Sequence, residues 1–137
     1  MREIKFRVWD KSVPANTSKE ELANPSGMMI PWHYVIESTY LLSALRGDYP
    51  LMQYTGLKDK NGVEIFEGDI VSYPNRDCSG AVKFGTYEHD TIEQFIAGTG
   101  FYFEYSNHVQ PLHTSCVQAL EILGNIYQHP TLLTPKS

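Results

Sequence analysis

Three groups of residues in this 137-residue chain have types and spacings that could perform chemistry. The block YTGLKDKNGVEIFEGDIV, residues Tyr54–Val71, combines glycines with acidic residues and could hold a phosphate or a calcium ion. His113 and Cys116 form an HxxC pair that could supply two zinc ligands, or a thiol nucleophile with its base. The third group is a set of closely spaced carboxylates suited to acid–base catalysis: Glu64, Glu67 and Asp69.

The glycine spacing in the central block predicts turns rather than a ligand site. A phosphate-binding loop needs glycines at GxxxxGK[ST] or GxGxxG spacing between a strand and a helix. Here the glycines stand six apart, at positions 56, 62 and 68, and no helix pattern follows them. A calcium loop needs oxygen ligands at alternating positions, but apolar Val63, Ile65 and Phe66 occupy the middle of the block.

Backbone reversal accounts for these residues better than ligand binding does. Asn61-Gly62 tolerates the two positive φ angles of a tight hairpin turn. Gly68-Asp69 predicts a corner before the next apolar run, and Gly124 interrupts a later strand where a barrel would bend. The residues predicted to form structural turns are Asn61, Gly62, Gly68, Asp69 and Gly124.

The histidines, cysteines and carboxylates do not converge on a reaction. A zinc site needs three or four ligands, and no second closely spaced pair accompanies His113 and Cys116. Cys116 is interpreted as a small buried residue beside Val117 and Leu120. Glu64 and Glu67 flank apolar strand residues and are expected to be solvated. We therefore predict no catalytic residue, metal or cofactor, and an enzyme with an unrecognised active site remains an alternative.

The first fifty residues predict strands and one short helix. In REIKFRVWD, Ile4, Phe6 and Val8 share one side of a half-buried strand, and Trp9 lies on the other. A long polar loop is expected from Asp10 to Gly27. The segment MMIPWHYVIES predicts an extended edge segment because proline cannot donate to a ladder. STYLLSALRGDYP predicts a helix of about two turns that ends at glycine, with its buried leucines on one face: Leu41, Leu42 and Leu45.

From Leu51 to Pro130 the pattern is five or six short strands separated by glycine corners. In GFYFEY, for example, Phe101, Phe103 and Tyr105 alternate with polar positions. Short strands with sharp corners predict a small, strongly bent barrel. We expect a mainly β, α+β fold with an N-terminal arm or subdomain at residues 1–50 and a barrel with a C-terminal tail at residues 51–137.

The charge distribution disfavours a large phosphate-binding surface. Residues 1–60 carry eight Lys/Arg and seven Asp/Glu, a net charge of +1, whereas residues 61–137 carry three and nine, a net charge of −6, which gives −5 for the chain. Nucleic-acid binding draws most of its affinity from Lys/Arg contacts with phosphates. The absence of a membrane-length apolar run and the two isolated cysteines predict a soluble protein of a reducing cytoplasm.

Dense aromatic residues instead favour binding to protein. Tyrosine and tryptophan are enriched at protein interfaces, and the expected outcome is a homo-oligomer with another protein as a possible partner. The candidate interface residues are Trp9, Trp32, Tyr34, Leu132 and Leu133. The alternative is a nucleic-acid-binding barrel that uses a basic strand beside Trp9, formed by Arg2, Lys5, Arg7 and Lys11.

Four blocks of the sequence resemble the YopX-like family of proteins from bacteriophages and prophages. In order they are MREIKFRVWDK, LMQYTGLKDKNGVEIFEGDIV, GFYFEY and EILGNIYQHPTLL. The resemblance implies an SH3-like C-terminal barrel after a smaller N-terminal segment, a phage or prophage origin and a tendency to assemble. With that origin, the possible partner is a host or phage protein. It implies no reaction, cofactor or catalytic residue. Two segments depart from the family pattern: SVPANTSKEELANPSG with STYLLSALRGDYP, and FGTYEHDTIEQFIAGT.

Overall fold

A computed structural model describes residues 3–11, 27–74, 78–90, 95–105 and 108–129. Antiparallel strands dominate, so the expectation of a mainly β protein with a barrel-like core is confirmed. The described strands are β1 (Phe6–Asp10), β2 (Met28–Ile30), β3 (Leu51–Lys58), β4 (Glu64–Phe66), β5 (Asp69–Ser72), β6 (Ser79–Ala81), β7 (Lys83–Asp90), β8 (Phe95–Tyr105), β9 (His108–Pro111) and β10 (Glu121–Asn125). The helices are α1 (Trp32–Val35), α2 (Tyr40–Leu45) and α3 (Thr114–Val117).

The N-terminal part is a four-stranded sheet in the order β2-β1-β3-β4. Alternation along β1 places Val8 in a small core with Ile30, Val35 and Ala44, which α1 and α2 cover. The opposite face of β1 is covered as well, because the barrel lies against it. Trp9 is only 5% exposed and stacks on Tyr127, with 5.8 Å between ring centroids. The prediction that Trp9 faces outward is therefore wrong.

Helix α1 corrects the prediction of an extended segment after Pro31. Only Met28–Ile30 is a strand, at the sheet edge, and Pro31 then occupies the N-cap of α1. Proline suits the start of a helix because its missing N–H has no intrahelical partner there.

Helix α2 forms where predicted and is followed by Gly47 with φ +92°, but its buried face differs. Leu41 and Ala44 pack on the core, whereas Leu42 and Leu45 are exposed. A six-residue helix that crosses one small core buries only one narrow stripe, and Leu41 with Ala44, three residues apart, fills it.

The barrel-like part combines two three-stranded sheets, β10-β5-β6 and β7-β8-β9. Its core joins strand residues with α3; the buried members are Ile65, Val71, Val82, Phe101, Phe103, Cys116, Val117 and Leu120. Strand β3 connects the two parts, since its first half pairs with β1 while Leu57 near its end packs on the barrel core. The predicted boundary at residues 50 and 51 thus falls at the start of a strand that both parts share.

Two glycines offer a matched test of how closely the sheets pack. A Cβ atom at Gly80 of β6 would collide with the carbonyl oxygen of Glu104 in β8, whereas a Cβ at Gly85 of β7 meets no atom within 4 Å. We expect Gly80→Ala to lower the free energy of unfolding by about 1–3 kcal/mol, the usual cost of overpacking. Gly85→Ala should change it by less than about 1 kcal/mol. Urea titration of both variants measures the difference, and equal midpoints would contradict the close crossing of β6 over β8.

Candidate interaction surface

The central block forms a hairpin turn between β3 and β4. Asp59 and Val63 enclose a loop of three residues, in which Gly62 has φ +79° and its N–H donates to the carbonyl of Asp59. The predicted two-residue Asn61-Gly62 turn is therefore one residue too short. The reason is the Asp59 side chain, whose Oδ1 accepts from the N–H groups of Asn61 and Val63, both at 2.9 Å.

The same carboxylate ties the hairpin to the far end of the barrel. Asp59 Oδ2 accepts from the N–H of Ile122 at 3.1 Å, and the N–H of Lys60 donates to the carbonyl of Leu120. Asp59 is 6% exposed. Its oxygens are occupied by backbone donors of the chain itself, so the geometry is that of a structural clamp.

The corner at Gly68-Asp69 holds a second buried carboxylate. Gly68 has φ +90°, and its N–H and C=O bond to Val82 and Ile126. Asp69 Oδ1 accepts from the Arg7 guanidinium at 2.6 Å, and Oδ2 accepts from the N–H of Phe66 at 2.7 Å. Burial raises the pKa of Asp69, while Arg7 and the Phe66 N–H act in the opposite direction. Asp69 therefore joins the N-terminal sheet to the barrel.

Gly124 lies at an irregularity in β10. The register against β5 shifts between Ile122 and Gly124, which is a β-bulge. The ring of His129 packs over Gly124 so closely that a Cβ atom would collide with it. Glycine is thus needed for close approach of His129, in addition to the bend.

His113 and Cys116 bond to each other's backbone at the start of α3. His113 Nδ1 accepts from the Cys116 N–H, and Cys116 Sγ accepts from the His113 N–H, both at 3.3 Å. Burial raises the pKa of the Cys116 thiol, which disfavours the nucleophilic thiolate. Within the described part of the chain, no three His, Cys, Asp or Glu side chains group as metal ligands would.

The basic side chains predicted to contact nucleic acid are engaged within the chain instead. Lys5 pairs with Glu64 and lies 4.8 Å over the ring of Tyr54. Arg7 pairs with Asp69 and lies over Phe66, with a side chain only 13% exposed. With Trp9 also buried, these groups are unavailable to phosphates or bases. Of the other two basic residues, Lys11 is exposed and Arg2 lies outside the described residues.

The remaining interface candidates separate into three cases. Trp32 is half-buried, since it packs on the small core and meets Phe6 edge to face at 5.9 Å. Tyr34 is 55% exposed, as predicted for a contact residue. Leu132 and Leu133 lie outside the described residues.

The two N-terminal helices expose an apolar surface. We call it the α-face and define it by Tyr34, Ile36, Leu42 and Leu45, whose exposures are 55%, 52%, 54% and 67%. The two helices meet through Tyr34 and Tyr40, whose ring centroids are 6.1 Å apart. Sequence reasoning missed the outward leucines, although three leucines exceed what the buried stripe of so short a helix requires. None of the helices among the described residues is both long and apolar enough to span a membrane.

Comparisons with known proteins place this architecture in a family. The family model described as YopX protein matches residues 5–134. The crystal structure of protein EF1440 from Enterococcus faecalis is similar in fold, with a TM-score of 0.52 and 23% sequence identity over 97% of this chain and 99% of that one. Comparison with curated proteins gives no match. Since the family model spans nearly the whole chain, the resemblance in the four sequence blocks is confirmed: the chain belongs to the YopX protein family.

Proposed function

We propose that this protein is a non-catalytic accessory protein that acts by binding protein, and that its α-face pairs with the α-face of a second copy. One observation carries the proposal: four large apolar side chains are half or more exposed within the twelve residues from Tyr34 to Leu45. Large apolar side chains exposed this close together along a folded chain mark protein contacts.

The charges around the α-face support pairing with itself. The exposed charged residues of this segment have both signs: Glu37, Arg46 and Asp48. Symmetric dimers place the same patch on both subunits, so a patch must avoid facing its own charge. Here Leu42 and Leu45 lie on α2, and charged residues of both signs flank them in the sequence. Two copies can therefore bury these leucines without bringing like charges together.

The chemistry of the site candidates supports a non-catalytic role. The buried carboxylates of Asp59 and Asp69 accept hydrogen bonds from the chain's own donors, and the Cys116 thiol is engaged at a helix start. Both Cys78 and Cys116 are free thiols, which supports a reducing compartment such as the bacterial cytoplasm. The YopX-like resemblance supports a phage or prophage setting.

The test is the mass of the assembly in solution. The double variant Leu42→Lys/Leu45→Lys places four ammonium groups in the paired α-faces and removes apolar burial of about 1.5–3 kcal/mol per leucine. We expect the dissociation constant to rise at least about 100-fold and the mass measured by light scattering to fall by half.

The matched control changes two exposed apolar residues outside the α-face to lysine. Ile4 and Val63 are 65% and 51% exposed, so Ile4→Lys/Val63→Lys adds the same charge at sites of similar exposure. It should keep the wild-type mass. A wild-type protein that is monomeric at high concentration, or an α-face variant of unchanged mass, would refute the proposal. Trp32→Ala is a poorer test because Trp32 also supports the core.

A further inference from the structure

Strand β7 lies at the edge of its sheet, whose strand order is β7-β8-β9. It pairs with β8 over eight consecutive residues, from Lys83 opposite Tyr102 to Asp90 opposite Phe95, without a bulge. Within the described residues its other edge pairs with no strand, and its backbone makes no further hydrogen bond. Natural edge strands are commonly shortened, bulged, interrupted by proline or charged. Strand β7 has none of the first three features, and its charged residues are Lys83, Glu88 and Asp90, toward its two ends.

The ribbon formed by β7 and the first part of β8 lacks a core of its own. Of the side chains described between Lys83 and Gly100, none is buried, and Phe84 and Phe95 are 53% and 63% exposed. A two-stranded ribbon is only marginally stable in water, and three or more strands are needed for independent stability. An additional strand at the β7 edge would supply that support.

We propose that β7 pairs antiparallel with β7 of a second copy, with Thr86 opposite its own copy on the two-fold axis, so that two ribbons join into one four-stranded sheet. Symmetry limits the choice of register. A two-fold axis perpendicular to the sheet places one residue of β7 opposite the same residue of the second copy. An offset of one residue is excluded, because residues that face each other across antiparallel strands point to the same side of the sheet.

The side chains favour Thr86 for that central position. With Glu88 on the axis, two carboxylates would face each other directly, which is destabilising. With Thr86 on the axis, Glu88 faces Phe84 of the second copy and no two like charges are opposed. Tyr87 of each copy then faces Gly85 of the other.

The space above Gly85 fits a large opposing side chain. A Cβ atom at Gly85 would meet nothing within 4 Å, and its partner across the ribbon, Gly100, is equally open. Within the chain Tyr87 already lies over a glycine, since a Cβ at Gly98 would touch its hydroxyl. Aromatic side chains stabilise strand glycines by covering the bare backbone in this way.

This interface is distinct from the α-face and does not depend on it. Two different symmetric interfaces on one chain generate assemblies larger than a dimer, and the smallest closed assembly of this kind holds four chains. We therefore expect four chains in the wild-type assembly, and two chains when either interface is removed.

Cysteine cross-linking tests the register directly. In a Cys78→Ser background, Thr86→Cys places two cysteines directly opposite each other with Cα atoms about 4.5–5.5 Å apart. This separation is within the range of disulfides, so the two thiols should cross-link under mild oxidation. Glu88→Cys is the control: it is also exposed, on the same strand and side, but it faces Phe84 of the second copy and lies far from its own copy. We expect a two-chain product at position 86 at ten or more times the yield at position 88.

A second variant keeps the test independent of thiol chemistry. Thr86→Glu sets two carboxylates opposite each other only in the paired state, and it should halve the assembly mass while the chain remains folded. Combined with Leu42→Lys/Leu45→Lys it should give a monomer, whereas failure of the α-face alone would leave the cross-link at position 86 intact. No cross-link at position 86, equal yield at position 88, or an unchanged mass of Thr86→Glu would overturn the β7 pairing.

Discussion

Replacing Asp69 by alanine is expected to lower the free energy of unfolding by about 3–5 kcal/mol. The substitution removes the only charged partner that the buried Arg7 guanidinium has among the described residues, and it removes the acceptor of the Phe66 N–H. Arg7 Nε is already buried without a hydrogen-bond partner among the described groups, so the cation has little alternative support. An uncompensated buried charge costs more than the ion pair itself contributes. Guanidinium chloride titration measures the loss.

Two further variants show how the loss of stability depends on the position and chemistry of the carboxylate. Asp69→Asn keeps an oxygen for one of the two donors and should lie between wild type and Asp69→Ala. Glu67→Ala removes a less buried carboxylate two residues earlier and should change stability by less than about 0.5 kcal/mol. If Asp69→Ala were as stable as Glu67→Ala, the Arg7–Asp69 pair would not hold the two parts of the chain together.

The pH dependence of stability separates the charge of Asp69 from its hydrogen bonds. Its folded pKa is raised above the ordinary value of 3.8, chiefly by burial. The folded state therefore binds the proton more tightly than the unfolded state. This contribution to stability is fully present below pH 3.8 and is lost as the pH rises through the folded pKa. Relative to Asp69→Asn, the wild type should lose stability as the pH rises from about 4. Urea titrations across that range measure the sign of the change, and a gain in the stability of the wild type would contradict the prediction.

Local patterns in the sequence predicted most of the strands because side-chain alternation is a local property, although five or six were expected after Leu51 and the structure has eight. The inward Phe101 and Phe103 and the turn glycines follow from that alternation and from backbone sterics. Alternation failed for Trp9, since a strand covered on both faces has no outward side, and only the docking of the barrel covers the second face. Helical periodicity failed for Leu42 and Leu45, because the width of the core beneath α2 is not encoded in the helix itself.

The candidate site was harder to predict than the fold, because its decisive contacts join distant parts of the chain. Asp69 and Arg7 are 62 positions apart, and Asp59 and Ile122 are 63 apart. From the local sequence, a carboxylate next to apolar residues is predicted to lie in a solvated turn. The neighbouring residues do not indicate that a guanidinium or an amide from a distant part of the chain will bond to it. The basic strand failed for the same reason, since Lys5 and Arg7 are neutralised by acids of the central block.

Replacing Asp59 by alanine is the second large expected effect. The substitution leaves three backbone N–H groups without their acceptor, those of Asn61, Val63 and Ile122, at a residue that is only 6% exposed. An unsatisfied buried donor costs about 1–3 kcal/mol, and the turn donors can regain some water, so we expect a loss of roughly 3 kcal/mol. Amide hydrogen exchange should accelerate at Val63 and Ile122 together, because one carboxylate serves both.

The control for Asp59 lies in the same turn. Asn61 is exposed, and its backbone N–H rather than its side chain bonds to Asp59, so Asn61→Ala should shift the unfolding midpoint little. Asp59→Asn retains one oxygen and provides a measurable intermediate if the alanine variant fails to fold. Should Asp59→Ala and Asn61→Ala unfold at the same urea concentration, Asp59 would not be the clamp between the β3–β4 hairpin and β10. A large difference between them would instead show that the acids of the central block hold the chain's own backbone.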